Sequence, residues 1–178
     1  VVAKIVSSKT GNANDRECKS TEQCVRVWIP GCATGEEAYS IAMLFLEELR
    51  MQRKTCKLQV FASDIDTDAL QYARAGRYPT SIEADVSRER LTRYFSKHDG
   101  QLHYQVSKSL REVVVFAEQN LIADPPFSQL DLICCRNVLI YLKSEMQQKV
   151  IAMFHFALQP QAYLMLGTAE TVGRQDHL

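Results

Sequence analysis

Two stretches of this sequence are apolar without alternation, Val113-Val114-Val115-Phe116 and Leu130-Asp131-Leu132-Ile133-Cys134-Cys135. A strand with one wet face alternates apolar and polar side chains. A strand that does not alternate is covered on both faces, as in a parallel sheet lying between two layers of helices. The rest of the chain follows the same grammar. Val25, Val27 and Ile29 with Trp28 form a β-rich run that stops at Pro30-Gly31, and Glu36 to Arg50 then spaces Ala38, Ile41, Ala42, Leu44, Phe45 and Leu49 helically. Leu58 to Ala62 repeats the strand, with a helix predicted from near Asp66. Ser144 to Leu158 predicts another helix, and Ala162 to Gly167 a fifth strand. Strand and helix in alternation predict an α/β fold with a mostly parallel, doubly wound sheet and right-handed crossovers.

Gly76 to Gly100 breaks this rhythm, with Pro79 as a breaker and a short amphipathic helix expected over Ser87 to Phe95. Leu102 to Val106 alternates and suits one arm of a small hairpin. Residues 76–112 are therefore read as an inserted hairpin and helix subdomain within a domain spanning 24–178. Residues 1–23, mostly polar after a short apolar start, are read as a tail or linker.

Composition narrows the function classes. With 46% hydrophobic residues in 178, the chain can bury one good core. Its 21 basic and 21 acidic residues leave no field to steer it onto nucleic acid or an anionic membrane. Val1-Val2-Ala3-Lys4 lacks a signal pattern and no apolar run approaches the roughly 18 residues of a membrane span, so a cytoplasmic protein without direct membrane insertion is expected. The six cysteines form no C-x-x-C pair and the four histidines include none at i, i+4, so no metal site is expected. Cys32, Cys134 and Cys135 lie in or beside apolar runs and read as reduced core thiols.

In an open α/β sheet the ligand lies beyond the carboxyl ends of the strands, so the residues just after each strand carry the chemistry. After the first comes Gly31-Cys32-Ala33-Thr34-Gly35-Glu36-Glu37, where Gly31 and Gly35 allow a tight turn and close backbone approach to a ligand. Two carboxylates there favour a ligand bearing a cation over a pyrophosphate. After the second comes Ser63-Asp64-Ile65-Asp66. Asp64 can accept from both hydroxyls of a ribose, whereas Asp66 reads as a helix cap before Thr67-Asp68-Ala69. After the third, the amide of Asn120 suits an adenine edge and equally a loop backbone. After the fourth, Arg136-Asn137-Val138-Leu139-Ile140-Tyr141 sets a cation, an amide and a phenol beside the crevice.

Three strings carry a family resemblance: Pro30 to Ala42, Phe61 to Asp66, and Cys135-Arg136-Asn137-Val138-Leu139-Ile140-Tyr141. In order and context they resemble the hallmark blocks of the CheR chemotaxis-receptor methyltransferases, over residues 24–173. The resemblance implies the class I methyltransferase sheet. It implies methyl transfer from S-adenosylmethionine to glutamate side chains on the cytoplasmic helices of chemoreceptors, with S-adenosylhomocysteine as product. It places Glu37 at the methionine part of the cofactor, Asp64 at the ribose, and Asn120 with Leu121 at the adenine. Arg136 with Asn137 fall at the reacting end, and Tyr141 at the methyl-transfer centre, so that Tyr141 and Arg136 are the candidate catalytic groups. A substrate glutamate, with a reference pKa of about 4.3, is already ionised at neutral pH, so alignment and not a general base carries the reaction.

Departures from the family are equally specific. The Phe-Arg pair that members carry before the sheet has no match in Val1 to Gln23, and Val25 to Cys32 looks most like members fused to methylesterase and sensor domains, which implies a piece of a longer protein. A short insertion around Lys97 to Gln101 predicts no binding of a receptor's C-terminal pentapeptide tether. Closing strands beyond Arg174 to Leu178 are expected to be missing, leaving a sheet edge open to pairing. Two other readings stay open: a non-catalytic S-adenosylmethionine- or S-adenosylhomocysteine-binding module of a signalling fusion, and a small-molecule methyltransferase.

Overall fold

The computed structural model describes residues 1–9, 24–97 and 102–171. Five parallel strands form the central sheet: β1 (Cys24–Pro30), β2 (Lys57–Asp64), β6 (Val114–Glu118), β7 (Leu130–Cys135) and β8 (Leu158–Leu166). Their order is β6-β2-β1-β7-β8, so the sheet reverses direction of growth between β1 and β7. The crevice above that switch point is where a ligand fits such a sheet. All five sequence runs predicted as strands lie in this sheet.

Side-chain alternation along β1 explains the two-sided core. Val25, Val27 and Ile29 face α2 (Glu36–Met51), whose Ala38, Ile41, Ala42 and Phe45 pack in the same cluster. Trp28 faces the other way, fully buried with Phe61 and Ile133 against Val150, Ile151 and Phe154 of α6 (Ser144–Ala157). Its ring meets Phe127 and Phe154 edge-on at 5.6 and 5.4 Å, and its indole N–H donates to Ser63 Oγ at 2.9 Å. The donor thus finds a partner within the core, as a buried indole requires.

The segment read as a tail departs from that reading at its start. Val2–Ser8 forms helix α1, with Ile5 and Val6 buried in the cluster of α2. Two adjacent apolar side chains are too short a pattern to announce a helix by period, but their burial outweighs the weak propensity of seven residues. Residues 10–23 lie outside the described residues, as do positions 98–101 of the short insertion expected not to bind a pentapeptide tether and the segment 172–178.

The irregular stretch forms more than one hairpin arm. After α3 (Thr67–Ala75), the strands β3 (Arg77–Pro79), β4 (Phe95–Ser96) and β5 (His103–Val106) make a separate antiparallel sheet in the order β3-β5-β4, with α4 (Arg88–Tyr94) capped by Ser87 between them. A four-residue helix, α5 (Lys108–Arg111), returns the chain to the main sheet. No helix among the described residues is long and apolar enough to cross a membrane.

Candidate active site

A cavity of about 700 Å³ opens at the carboxyl ends of β1, β2, β6 and β7. Its wall holds Gly31, Glu37, Asp64, Asn120, Leu121, Arg136, Asn137 and Tyr141 together. A volume of this size suits a drug-sized organic ligand.

The turn after β1 is fixed from two directions. Gly31 has φ 69° and lies against Val138, while Ala33, also left-handed at φ 45°, donates its N–H to Asp64 Oδ2 at 2.7 Å. Asp64 Oδ1 accepts from Asp66 N–H at 3.0 Å. Each oxygen keeps a second acceptor direction, so the carboxylate that shapes the loop can still receive two ligand hydroxyls. Asp66 caps α3 by accepting from Asp68 and Ala69 N–H at 2.9 and 3.1 Å, as its sequence context predicts.

Glu37, in the first turn of α2, accepts the Cys134 thiol hydrogen at 2.8 Å and stands 3.7 Å from Arg136 Nη1. Burial pushes the Cys134 thiol up, and Glu37 adds to it; burial likewise takes Cys32 and Cys135 up to about 12. All three remain thiols at neutral pH, in keeping with the core reading, and Cys134 serves as a donor. The described residues contain no cluster of metal-ligating side chains.

Two of the residues expected at the ligand have partners within the protein. Gly35, expected to approach the ligand, is not among the lining residues. A Cβ on it would meet the Ala73 Cβ at 2.8 Å and the Phe116 ring at 3.1 Å, so its lack of a side chain serves helix-to-sheet packing. Asn120 does line the cavity, but its Oδ1 already accepts from Ile122 and Ala123 N–H at 3.0 and 3.3 Å. Its carbonyl closes a turn, leaving the NH2 as the group it can offer a ligand.

One carboxylate escaped the sequence reading. Glu170 accepts four backbone N–H groups, from Gly167, Asn137, Val138 and Leu139, at 2.7 to 3.1 Å. Burial alone would raise its carboxyl; the four donors outweigh that and hold it below the usual carboxylate range. Nothing in Thr168-Ala169-Glu170-Thr171 distinguishes it from a surface glutamate.

Residues 3–178 match the family described as "CheR methyltransferase, SAM binding domain". The chain belongs to this family. Among its CheR relatives, the "Chemotaxis protein methyltransferase" of Escherichia coli (strain K12) is 38% identical over 154 residues, 82% of this chain and 51% of that protein. A second relative, an "Uncharacterized 104.1 kDa protein in hypE 3'region" of Rhodobacter capsulatus, is 40% identical over 148 residues, 83% of this chain and 15% of that protein. The chain thus spans about half the length of the first relative and a small part of the second. In fold, this CheR domain superposes on the glycopeptide N-methyltransferase MtfA with a TM-score of 0.51 at 12% identity, over 79% of this chain and 45% of that one. It is a class I methyltransferase sheet, and its cofactor is S-adenosylmethionine. The donor set fits that cofactor: acceptor-only Asp64 suits a ribose, paired Glu37 and Arg136 suit an amino-acid zwitterion, and Leu121, Ile122 and Ile65 offer apolar surface to a purine.

Proposed function

We propose that this domain transfers a methyl group to glutamate side chains on the cytoplasmic helices of chemoreceptors, forming glutamyl methyl esters and releasing S-adenosylhomocysteine. The observation that carries the reading is the convergence of an acidic and amide set from successive strand ends with one cation and one exposed phenol in a single cavity. Family membership and the name of the Escherichia coli relative, a chemotaxis protein methyltransferase, support it.

Bound S-adenosylmethionine would supply an electrophilic methyl on a sulfonium. Glu37 and Arg136 would take the ammonium and carboxylate of the methionyl end. Asp64 would hold the ribose, and the Asn120 amide with Leu121 would flank the adenine. An already ionised receptor glutamate would exchange the S–CH3 bond for an O–CH3 bond without moving a proton, so this chain's residues would need only to align its carboxylate. Nothing in the wall therefore needs to act as a base, which agrees with thiols that stay protonated. Charge is lost as carboxylate meets sulfonium, so a water-poor cavity that aligns the two contributes most.

Tyr141 is placed to orient the incoming carboxylate. It lies at the end of a single 3₁₀ turn (Leu139–Tyr141), lines the cavity and is 82% exposed, so its side chain is accessible to an entering carboxylate. A core tyrosine would not sit so. Tyr141→Phe is expected to keep S-adenosylhomocysteine affinity within about two-fold while losing turnover by about ten-fold or more, the value of one hydrogen bond to a charged group.

The test is to incubate the chain, and the longer protein containing it, with tritiated S-adenosylmethionine and receptor membranes, then measure base-labile methanol. Methanol release that Tyr141→Phe suppresses is the expected result. Tight cofactor binding without any methyl ester would instead identify a non-catalytic binding module.

A further inference from the structure

Beyond β8 the chain turns at Gly167 and brings Glu170 back under the segment that follows β7. Its Oε1 accepts from Val138 and Leu139 N–H, both at 2.8 Å, and its Oε2 from Asn137 N–H at 3.1 Å and Gly167 N–H at 2.7 Å. Three consecutive backbone donors around a left-handed residue, Asn137 at φ 56°, form a concave anion-binding nest. Here the protein's own carboxylate fills it. Gly167 confirms how closely the parts fit. Its φ is not left-handed, yet a Cβ there would lie 2.7 Å from Glu170 Oε2 and 3.2 Å from Asn137 Oδ1, so the missing side chain makes room for the contact.

Glu170 is not among the residues that line the cavity, whereas Arg136, Asn137, Val138 and Tyr141, on the turn it holds, all are. We infer that Glu170 is a positioning residue: by filling the nest of Asn137, Val138 and Leu139 it fixes the turn that delivers Arg136, Asn137 and Tyr141 to the cavity, and so sets cofactor affinity without touching the cofactor. This rests on the proposed reading of the cavity. The chemistry is particular to a carboxylate. Two acceptor oxygens satisfy four N–H groups, and the depressed titration of Glu170 keeps it ionised at neutral pH. A glutamine of the same shape fills the same space but offers one oxygen and turns an NH2 towards donors.

That difference separates positioning from space filling. S-adenosylhomocysteine affinity is measured by calorimetry, well below the melting temperature, for the wild-type chain, Glu170→Gln, Gly167→Ala and the double variant. Gly167→Ala leaves the charge in place and only presses a methyl on the carboxylate, so it keeps the idea testable should Glu170→Gln fail to fold. Each single variant is expected to weaken binding about ten-fold or more, since charge-assisted bonds are lost. The double variant is expected to be no weaker than the worse single, because both act on one contact. A folded Glu170→Gln chain, or failing that Gly167→Ala, that binds like wild type would overturn the inference, as would two effects that add in full. No binding by the wild-type chain would instead overturn the cofactor site itself.

Discussion

Gly31→Ala is expected to weaken S-adenosylhomocysteine binding by about a hundred-fold or more, measured by calorimetry on protein shown to be folded. Two independent costs fall on one methyl group. The backbone at Gly31 is left-handed, at φ 69°, which an alanine adopts at a cost of about 1–2 kcal/mol. Its Cβ would also lie 2.3 Å from Val138 Cγ2, closer than real carbon atoms approach. Val138 cannot simply retreat, because its own N–H is bound to Glu170 and its side chain packs against the cluster that contains Trp28 and Ile133. Overpacking of this kind adds about 1–3 kcal/mol. Together they amount to about 2–5 kcal/mol, paid where the turn after β1 meets the turn after β7, which is the floor of the cavity. The two costs can be separated: Val138→Ala in the Gly31→Ala background removes the colliding methyl but not the φ penalty, so affinity should recover in part and stop about ten-fold short of wild type. Affinity unchanged in Gly31→Ala would show that this turn does not approach the ligand.

The features legible in the sequence are those imposed by burial on a regular period. Leu130 to Cys135 is β7, buried throughout, which is why that run does not alternate; Val114 to Phe116 lies in β6 at the edge of the described sheet with Val115 42% exposed, so the expected cover on both faces is not found there. The strand-end rule pointed to Glu37, Asp64, Asn120, Arg136, Asn137 and Tyr141, and the family resemblance to Leu121; all line the cavity, because in a sheet of this kind position after a strand is position at the crevice. What escaped is set by contacts distant in sequence or by competition within a loop. Gly35 does turn as read, at a left-handed φ of 89°, but the neighbours that exclude a side chain there, Ala73 and Phe116, come from α3 and β6. For Asn120 the sequence left an adenine edge and a loop backbone equally open, and the turn through Ile122 and Ala123 takes the acceptor. Glu170 reaches back about thirty residues to donors that belong to the backbone, so no side-chain pattern announces it. The strands β3, β4 and β5 have two to four residues each, too few for alternation to establish more than one arm.

At the opposite end of the sheet, Asp131→Ala should cost about 3–5 kcal/mol of folding stability while leaving the cavity's affinity intact. Asp131 is the charged residue inside β7 and is 8% exposed. Its Oδ1 lies 2.7 Å from Lys9 Nζ, and its Oδ2 accepts the N–H of Arg26 in β1 at 2.9 Å. The lysine is itself largely buried and its backbone carbonyl accepts from Lys54 Nζ at 2.9 Å, so the pair ties the end of α1 to the sheet. Truncating the aspartate strands an ammonium and a strand N–H at once, and the loss exceeds anything the intact pair contributes over an apolar replacement. For a chain of this length the melting temperature should fall by about 6–20 °C. Lys9→Met with Asp131→Leu should recover much of it, because no charge is then left unpaired. Arg136 lies about 16 Å further along the strand at the usual rise per residue. Cofactor affinity measured on the folded variant should therefore match wild type within about two-fold, as for sites that share no partner. A large loss of affinity in folded Asp131→Ala would mean that strain at one end of β7 reaches the turn at the other, so that scaffold and site in this domain are a single mechanical unit.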